Sequence, residues 1–247
     1  MHQGLFIAAK GMLAQQRRHD VTAQNLANVS TAGYQRQALA FHADVVEQFQ
    51  APAAGLAAKR TPFAHPIYPT DVLVATDPTL QSDIRETGNP AHLALLGEGF
   101  FVVETPQGPA YTRNGAFTLA PDGRLTTGDG LPVLGENGPI TINASKWEVA
   151  PDGRVLADGA VVDRLRIVAI ADLSRATRLG ANLWLTAETL PAQRAQVRQG
   201  ALEGSNVSAV TEMLALIQAT RQFEACQKCL QAVDTVLDRT VNDVGRM

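Results

Sequence analysis

The stretch SNVSAVTEMLALIQATRQFEACQKCLQAVDTVLDRTVNDV, residues 205–244, decides how this chain is built. Within it Val210, Met213, Ile217, Thr220, Phe223, Gln227, Leu230, Val233, Leu237, Thr240 and Val244 recur at steps of three and four residues. That spacing lines side chains along one face of an α-helix. Ser205 or Asn206 is suited to cap the start, with Thr211 and Glu212 soon after. No proline interrupts the run, so it predicts one helix of about nine turns at 3.6 residues per turn. An apolar line of that length needs a cover, either a globular core or a partner helix.

The other terminus offers the partner. Leu5, Met12, His19 and Leu26 fall seven apart, with Ala9, Gln16 and Ala23 between them. This is a heptad-like stripe, diluted by Gln16 and His19. The turn formers of Asn25-Leu-Ala-Asn-Val-Ser-Thr-Ala-Gly33 then end the helical pattern, and Gly33 is the expected point of chain reversal.

All 13 prolines lie between these two segments, where the texture changes. Proline at 52, 62, 66, 69 and 78 makes residues 36–83 an extended connector rather than a helix. From residue 84 short apolar runs predict strands: Leu93–Leu96, Gly99–Val103, Ala116–Leu119, Ile140–Ile142 and Leu165–Ile170. Asp-Gly or Asn-Gly pairs at 114, 122, 129, 137, 152 and 158 supply hairpin turns, because both residues tolerate positive φ. Ala-Pro-Asp-Gly-Arg-Leu at 120–125 returns as Ala-Pro-Asp-Gly-Arg-Val at 150–155, a repeated hairpin module. The expected fold is α+β. Residues 1–35 and 200–247 pair as a coiled-coil-like helical domain, and a mainly antiparallel β domain, 84–199, is inserted between them.

Composition narrows function by exclusion. The net charge of -3 and the lack of a basic run leave no electrostatic footprint for nucleic acid. No stretch approaches the roughly 18 apolar residues of a membrane span. The N-terminal segment has no basic region ahead of its apolar residues and no cleavage site, so a cleaved secretory signal is not expected. A membrane-surface helix wants a basic polar face, whereas Glu212, Glu224, Asp234, Asp238 and Asp243 offset Arg221, Lys228, Arg239 and Arg246.

Catalytic patterns fare no better. Asp122, Asp129, Asp152 and Asp158 each precede glycine in an expected turn, where the carboxylate serves its own backbone. Gly97-Glu-Gly99-Phe-Phe-Val102 leads into a strand, not the helix N-terminus a dinucleotide needs. The five histidines lack metal-ligand spacing, and neither a P-loop nor a GxSxG elbow occurs. Cys226 and Cys229 form a CxxC, but deep within the helical pattern rather than at its start, and without further zinc ligands nearby. No cofactor, metal or small-molecule substrate is expected. An enzyme or carbohydrate-binding protein built on the β domain is the alternative from a different class.

Read together, these segments resemble the flagellar basal-body rod and hook protein family. The resemblance is carried by Asn25, Leu26, Ala27, Asn28, Gly33 and Tyr34 near the N-terminus. In the middle it rests on Gly88, Asn89, Pro90, Gly99, Phe100, Phe101, Thr112, Arg113, Asn114 and Gly115. Near the C-terminus it rests on Leu202, Glu203, Ser205, Asn206 and Val207, followed by Glu212-Met213 and Arg221-Gln-Phe-Glu224. Gln24 and Ala91-His92 depart from the usual pattern. Total length, residues 132–140 and residues 202–207 are closer to the proximal-rod branch of the family than to its distal-rod branch.

The resemblance implies a structural subunit of the periplasmic rod, delivered by the flagellar export apparatus. Its partners would be copies of itself and other rod proteins. Its helical termini would form the inner tube, with the β domain outside. The apolar stripe gives the expected assembly interface: Leu5, Met12, Leu26, Val210, Met213, Ile217, Phe223, Leu230, Val233 and Leu237.

Overall fold

The computed structural model describes residues 2–44, 68–76 and 81–244, apart from 145, 171, 172, 174, 175, 181, 193 and 194. Side chains at 2–8, 40–44, 68–76, 237, 238 and 240–244 also lie outside the description. The connector's Pro52, Pro62, Pro66 and Pro78 fall outside it too.

Helix α1 (His2–Ala27) is followed by β1 (Gln37–Asp44) and β2 (Tyr68–Thr76). Next come β3 (Ile84–Glu86), β4 (Leu93–Leu96), β5 (Phe100–Thr105), β6 (Gly108–Thr112), β7 (Phe117–Leu119) and β8 (Leu125–Thr127). Then follow β9 (Trp147–Val149), β10 (Arg154–Ala157), β11 (Ala160–Arg164), β12 (Ile167–Ile170), β13 (Thr177–Leu179) and β14 (Leu183–Leu185). Strands β15 (Thr189–Pro191), β16 (Gln196–Gln199) and β17 (Ala201–Glu203) lead into α2 (Ala209–Val244). The architecture is α+β, with helical termini and antiparallel sheets between them, as the periodicities predict.

The chain forms two compact units, one of residues 1–23, 38–74 and 213–247, the other of residues 24–37 and 75–212. In the first unit the terminal helices touch. Arg18 Nη1 donates to Gln222 Oε1 at 3.5 Å, and a Cβ added at Gly11 would sit 3.5 Å from Cys226 Sγ. Descending α1 numbers meet ascending α2 numbers, so the two run antiparallel. Within the stretch expected to be an extended connector, β1 and β2 pair as a two-stranded sheet.

The second unit carries a six-stranded sheet in the order β13-β14-β6-β5-β12-β15, beside a three-stranded sheet β11-β10-β9 and three two-stranded pairs. Strand β5 sets the layers. Its Phe101 and Val103 enter one cluster with Leu93, Leu95, Phe117, Leu125, Val155 and Val197, while Phe100 and Val102 enter a second with Tyr111, Val168 and Trp184. Alternate residues of a strand face opposite ways, so the unbroken run Phe-Phe-Val-Val marks a strand buried on both faces. Phe101 and Phe117 meet edge to face, with centroids 5.1 Å apart and planes at 79°, the geometry the ring quadrupoles favour.

Three local expectations change. Ile140–Ile142 is not a strand: Ile140 N donates to Val133 O and Ile142 N to Gly123 O, so it stitches two turns while both side chains stay buried. Ser208, not Ser205 or Asn206, stands directly before α2: its carbonyl accepts from Glu212 N at 3.0 Å and its Oγ from Thr211 Oγ1 at 3.1 Å. Asn206 is diverted elsewhere, as shown below. At 114–115 the glycine answers a contact rather than a positive φ, because a Cβ on Gly115 would lie 1.6 Å from Leu93 O.

The repeated Ala-Pro-Asp-Gly-Arg turns match closely. Gly123 and Gly153 have φ of 80° and 85°, and Asp122 and Asp152 each take Arg Nε at 2.6 Å from the residue two positions on. Both carboxyls are held below the usual carboxylate range, Asp122 chiefly by the Arg124 side chain and Asp152 chiefly by the Arg154 backbone N–H. They serve their own turns.

Candidate functional site

The chain's conspicuous polar site lies at the elbow after α1. It belongs entirely to the β-containing unit. The helix unwinds through Asn28, whose Nδ2 donates to Gln24 O at 2.8 Å and whose Oδ1 accepts from Thr31 Oγ1 at 3.1 Å. Gly33 then turns the chain at φ 64°. A Cβ there would sit 2.4 Å from the carbonyl carbon of Arg113, so glycine is demanded both by φ and by the approach of a second backbone.

Asn25 stands at the centre, 1% exposed. Its Nδ2 donates to Gln37 O at 2.9 Å and to Glu212 Oε2 at 3.3 Å. Its Oδ1 accepts from Gln37 N at 3.0 Å and from Tyr34 Oη at 3.2 Å. An amide offers two donors and can accept twice, so the side chain is saturated. Aspartate would lose both donors.

Glu212, also 1% exposed, closes the network from α2. Its Oε1 accepts from Arg36 Nε at 2.6 Å, which pairs a charge that would be costly alone. It also lies in the first turn of α2, where the helix dipole favours an anion. Asn206 Oδ1 accepts from Arg36 N at 2.6 Å, which is why it no longer caps the helix.

Arg113 and Glu203 form a second buried pair, 3% and 4% exposed, at 2.8 Å. Arg113 also donates to Gly99 O at 2.8 Å and Gly97 O at 2.7 Å, and Glu203 O accepts from Gly33 N at 2.9 Å. On the other flank Arg178 lies between the rings of Tyr34 and Trp184, 4.6 Å and 4.8 Å from their centroids. Burial pushes the Tyr34 phenol above its ordinary range, against the opposing pull of Arg178. Burial also pulls the Arg178 guanidinium down. These are pinning contacts, not an acid–base pair with access to a substrate.

Motif residues scattered along the sequence therefore meet here: Asn25, Asn28, Gly33, Tyr34, Arg113, Glu203 and Asn206. Gly88, Asn89 and Pro90 form a separate turn before β4. Phe100 and Phe101 are core, and Gly99 has no room for a Cβ beside Ile167. Thr112 and Asn114 brace the following turn, accepting from Asn114 N and Ala116 N at 3.0 Å each. Ser205 Oγ accepts from Val207 N, and Leu202, Leu26 and Ala27 face outward to varying degrees. Sequence reading missed Arg36, Gln37, Arg178 and Trp184, and placed Glu212 only as a helix-start signal, a surface charge and a motif residue, not in a buried network. The available signal was a carboxylate in register with an apolar heptad line.

That line runs Glu212, Leu216, Ala219, Phe223, Cys226, Leu230 and Val233, in alternating steps of four and three, and its members are buried or half-buried. Phe223, Leu230 and Val233 of the expected assembly stripe belong to it. Val210, Met213 and Ile217 do not: with Leu214 they stand 70%, 52%, 52% and 57% exposed. The apolar surface of α2 thus divides into two lines. Met12 is half-buried on α1, and the side chains of Leu5 and Leu237 lie outside the described residues. Cys226 is half-buried and Cys229 exposed, both free within α2. Among the described residues, no acidic, His or Cys cluster could hold a metal, and no helix is long and apolar enough to cross a membrane.

Three family models match along the chain in the order of these segments. They are the flagella basal body rod protein at residues 5–35, the flagellar hook protein FlgE/F/G D1 domain at 94–157, and the flagellar basal body rod FlgEFG protein C-terminal at 198–243. The flagellar basal-body rod protein FlgF of Caulobacter vibrioides is 33% identical over 254 residues, spanning 100% of both chains. The chain belongs to the flagellar basal-body rod protein family. Escherichia coli FlgF is 36% identical over 233 residues, covering 87% of each chain. Bacillus subtilis FlgG is 31% identical over 267 residues, covering 98% of this chain and 99% of its own. The chain is a FlgF-like structural protein of the flagellar basal-body rod, not an enzyme, and the elbow is where the family's N-terminal, central and C-terminal motifs interlock.

Proposed function

We propose that this rod protein polymerises through its terminal helices, with Val210, Met213, Leu214 and Ile217 as the surface offered to neighbouring subunits. The exposure of these four side chains carries the reading. They fall at i, i+3, i+4 and i+7 on α2, while the line on the opposite face already packs within the chain. A contiguous exposed apolar surface, unlike scattered single apolar residues, is what marks an interaction site. Its partners are further copies of this chain and other rod proteins, reached through the flagellar export apparatus and assembled in the periplasm. The helical termini line the tube through which later subunits pass, and the β domain faces outward. Between rod positions we favour the proximal one, since FlgF relatives align over the whole chain, although FlgG relatives stand at similar identity.

The test is the double substitution Met213→Asp and Ile217→Asp in cells lacking the native gene. Two charges placed in an apolar interface carry a heavy desolvation cost. The expected outcome is a soluble subunit with an unchanged melt that fails to enter isolated basal bodies. Normal incorporation would rule this face out.

A further inference from the structure

The chain contains two Asn-Gly pairs, Asn114-Gly115 and Asn137-Gly138, and the fold leaves them in opposite surroundings. Asn114 Oδ1 accepts from Ala116 N at 3.0 Å, and Asn114 N donates to Thr112 Oγ1 at 3.0 Å. Gly115 is buried, and its carbonyl accepts from Leu93 N at 3.0 Å and Phe117 N at 2.8 Å. A Cβ on it would lie 1.6 Å from Leu93 O. Neither residue can turn without displacing Leu93 at the start of β4.

Asn137 is exposed, in the turn that joins Leu134 to Pro139. A Cβ on Gly138 would meet nothing within 4 Å, and its φ of 129° is one that glycine adopts without strain. The Asn137 side chain is held at its nitrogen, where Nδ2 donates to Asp163 Oδ1 at 2.9 Å. A carboxylate only accepts, so that contact fixes which amide atom is the NH₂ group. An exposed hydrogen bond of this kind restrains little, because water replaces it.

We infer that Asn137 is a site of spontaneous deamidation, from which the fold protects Asn114, and that the conversion loosens the 135–138 turn from β11. Gly138 N attacks Asn137 Cγ, and the new C–N bond closes an imide ring. Nδ2 leaves as ammonia, taking up the proton that Gly138 N gives up. Water then opens the ring at either carbonyl, leaving aspartate or isoaspartate at position 137. Water is consumed and ammonia released, with no change of oxidation state, so the mark accumulates with the age of the protein. Ring closure needs rotation about the asparagine Cα–C bond, which swings the glycine. That motion is open at 138 and blocked at 115. The Asp-Gly turns at 122 and 152 are poorer candidates, since each carboxylate is paired with an arginine and an ionised carboxylate is a weak electrophile.

Asp163 holds this turn to β11. It accepts from Asn137 N at 3.4 Å as well as from Nδ2, and a Cβ on Gly135 would sit 2.3 Å from its Oδ2. Deamidation removes the Nδ2 donor and sets a second negative charge against Asp163. The neighbouring Arg164 guanidinium is already turned to Asp152 O at 3.1 Å and to Glu136 at 3.7 Å.

The full chain, held folded in mildly alkaline buffer and then digested for mass spectrometry, tests the assignment. Amide-to-acid conversion at Asn137 should run at least about tenfold faster than at Asn114, the scale on which a misplaced nucleophile costs rate. In concentrated urea the two pairs should convert at similar rates. Equal rates in the folded chain, or conversion in urea alone, would overturn the assignment. The consequence has its own readout. Asn137→Asp places the product's charge in the chain, and the Glu136 amide, which donates to Arg164 O at 2.9 Å, should then exchange with solvent about two- to tenfold faster. Unchanged exchange would show that the turn stays on β11 after conversion.

Discussion

Asn25 and Glu212, 187 positions apart in sequence, share a buried hydrogen bond of 3.3 Å. It links the end of α1 to the start of α2 inside the β-containing unit, and each partner has a further contact to the elbow between them. This gives the N-terminal motif a physical reason. Asn25 has every hydrogen-bonding position engaged, so its substitution strands several buried groups together.

Asn25→Ala should therefore destabilise the chain by about 2–4 kcal/mol, since Gln37, Tyr34 and Glu212 all lose a partner. Asn25→Asp should be at least as harmful. Its carboxylate would face Gln37 O and the Glu212 carboxylate where donors stood. Urea unfolding of both variants checks the order, and an Asp variant as stable as the native chain would remove Asn25 from the centre of the network.

Much of this was legible in the sequence, and the limits have causes. The terminal helices were visible because their periodicity is a local signal. Strand β4 was found at its true bounds because Leu93–Leu96 is a short apolar run between turn formers. The Arg113–Glu203 pair was not readable as a pair, because only the fold closes the separation of 90 residues. Likewise Asn206 looked like a helix cap because asparagine suits that task. Its recruitment by Arg36 N depends on the elbow, which no local pattern encodes. The two apolar lines of α2 merged in the sequence reading because the consecutive three-residue steps from Ile217 to Thr220 to Phe223 each turn the stripe back by about 60° on a helix of 3.6 residues per turn, carrying it from the outer face to the inner one.

Two glycine substitutions should act in opposite directions. At Gly33 an alanine meets the Arg113 backbone at 2.4 Å and a φ of 64°, so Gly33→Ala should destabilise by more than about 2 kcal/mol. At Gly11 the added Cβ meets only Cys226 Sγ, at an ordinary 3.5 Å. Gly11→Ala should stabilise α1 by about 0.5–1 kcal/mol. Thermal unfolding of the two variants should move to opposite sides of the native midpoint.

The inserted β domain expected from the sequence, if it folds alone, makes a prediction about where it can be cut. Residues 81–212 retain Glu203, whereas 84–199 lose it together with β17. Arg113 would then be a buried charge without its carboxylate, which costs about 3–5 kcal/mol when one partner of such a pair is removed. Both fragments should unfold cooperatively, the shorter at much lower urea. Equal midpoints would mean that Arg113 finds another partner or reaches water.

The cysteines should differ in reactivity despite lying one helical turn apart. Cys226 is half-buried against Gly11 of α1, while Cys229 is exposed. A thiol reagent should modify Cys229 at least about tenfold faster, since access governs reaction as strongly as thiolate fraction. Equal rates would show that α1 does not cover Cys226 in solution.

The division of α2 into an inner and an outer line predicts that stability and assembly can be broken separately. Ala219 is 0% exposed on the inner line, whereas Leu214 is 57% exposed on the outer one. Ala219→Leu forces extra methylenes into a packed contact and should cost about 1–3 kcal/mol. Leu214→Gln keeps the side chain's length at a mostly exposed position, so its effect on the monomer should stay within about 0.5 kcal/mol. In cells the ranking should reverse at the level of the single step. The Leu214 variant, although stable, should be under-represented in isolated basal bodies relative to its secreted pool. The Ala219 variant should enter them in proportion to the amount that folds. The deciding measurement is the ratio of incorporated to exported subunit for each variant, together with its unfolding midpoint. If Leu214→Gln leaves that ratio unchanged while Ala219→Leu lowers it, the inner line is the subunit contact and the outer line is merely exposed.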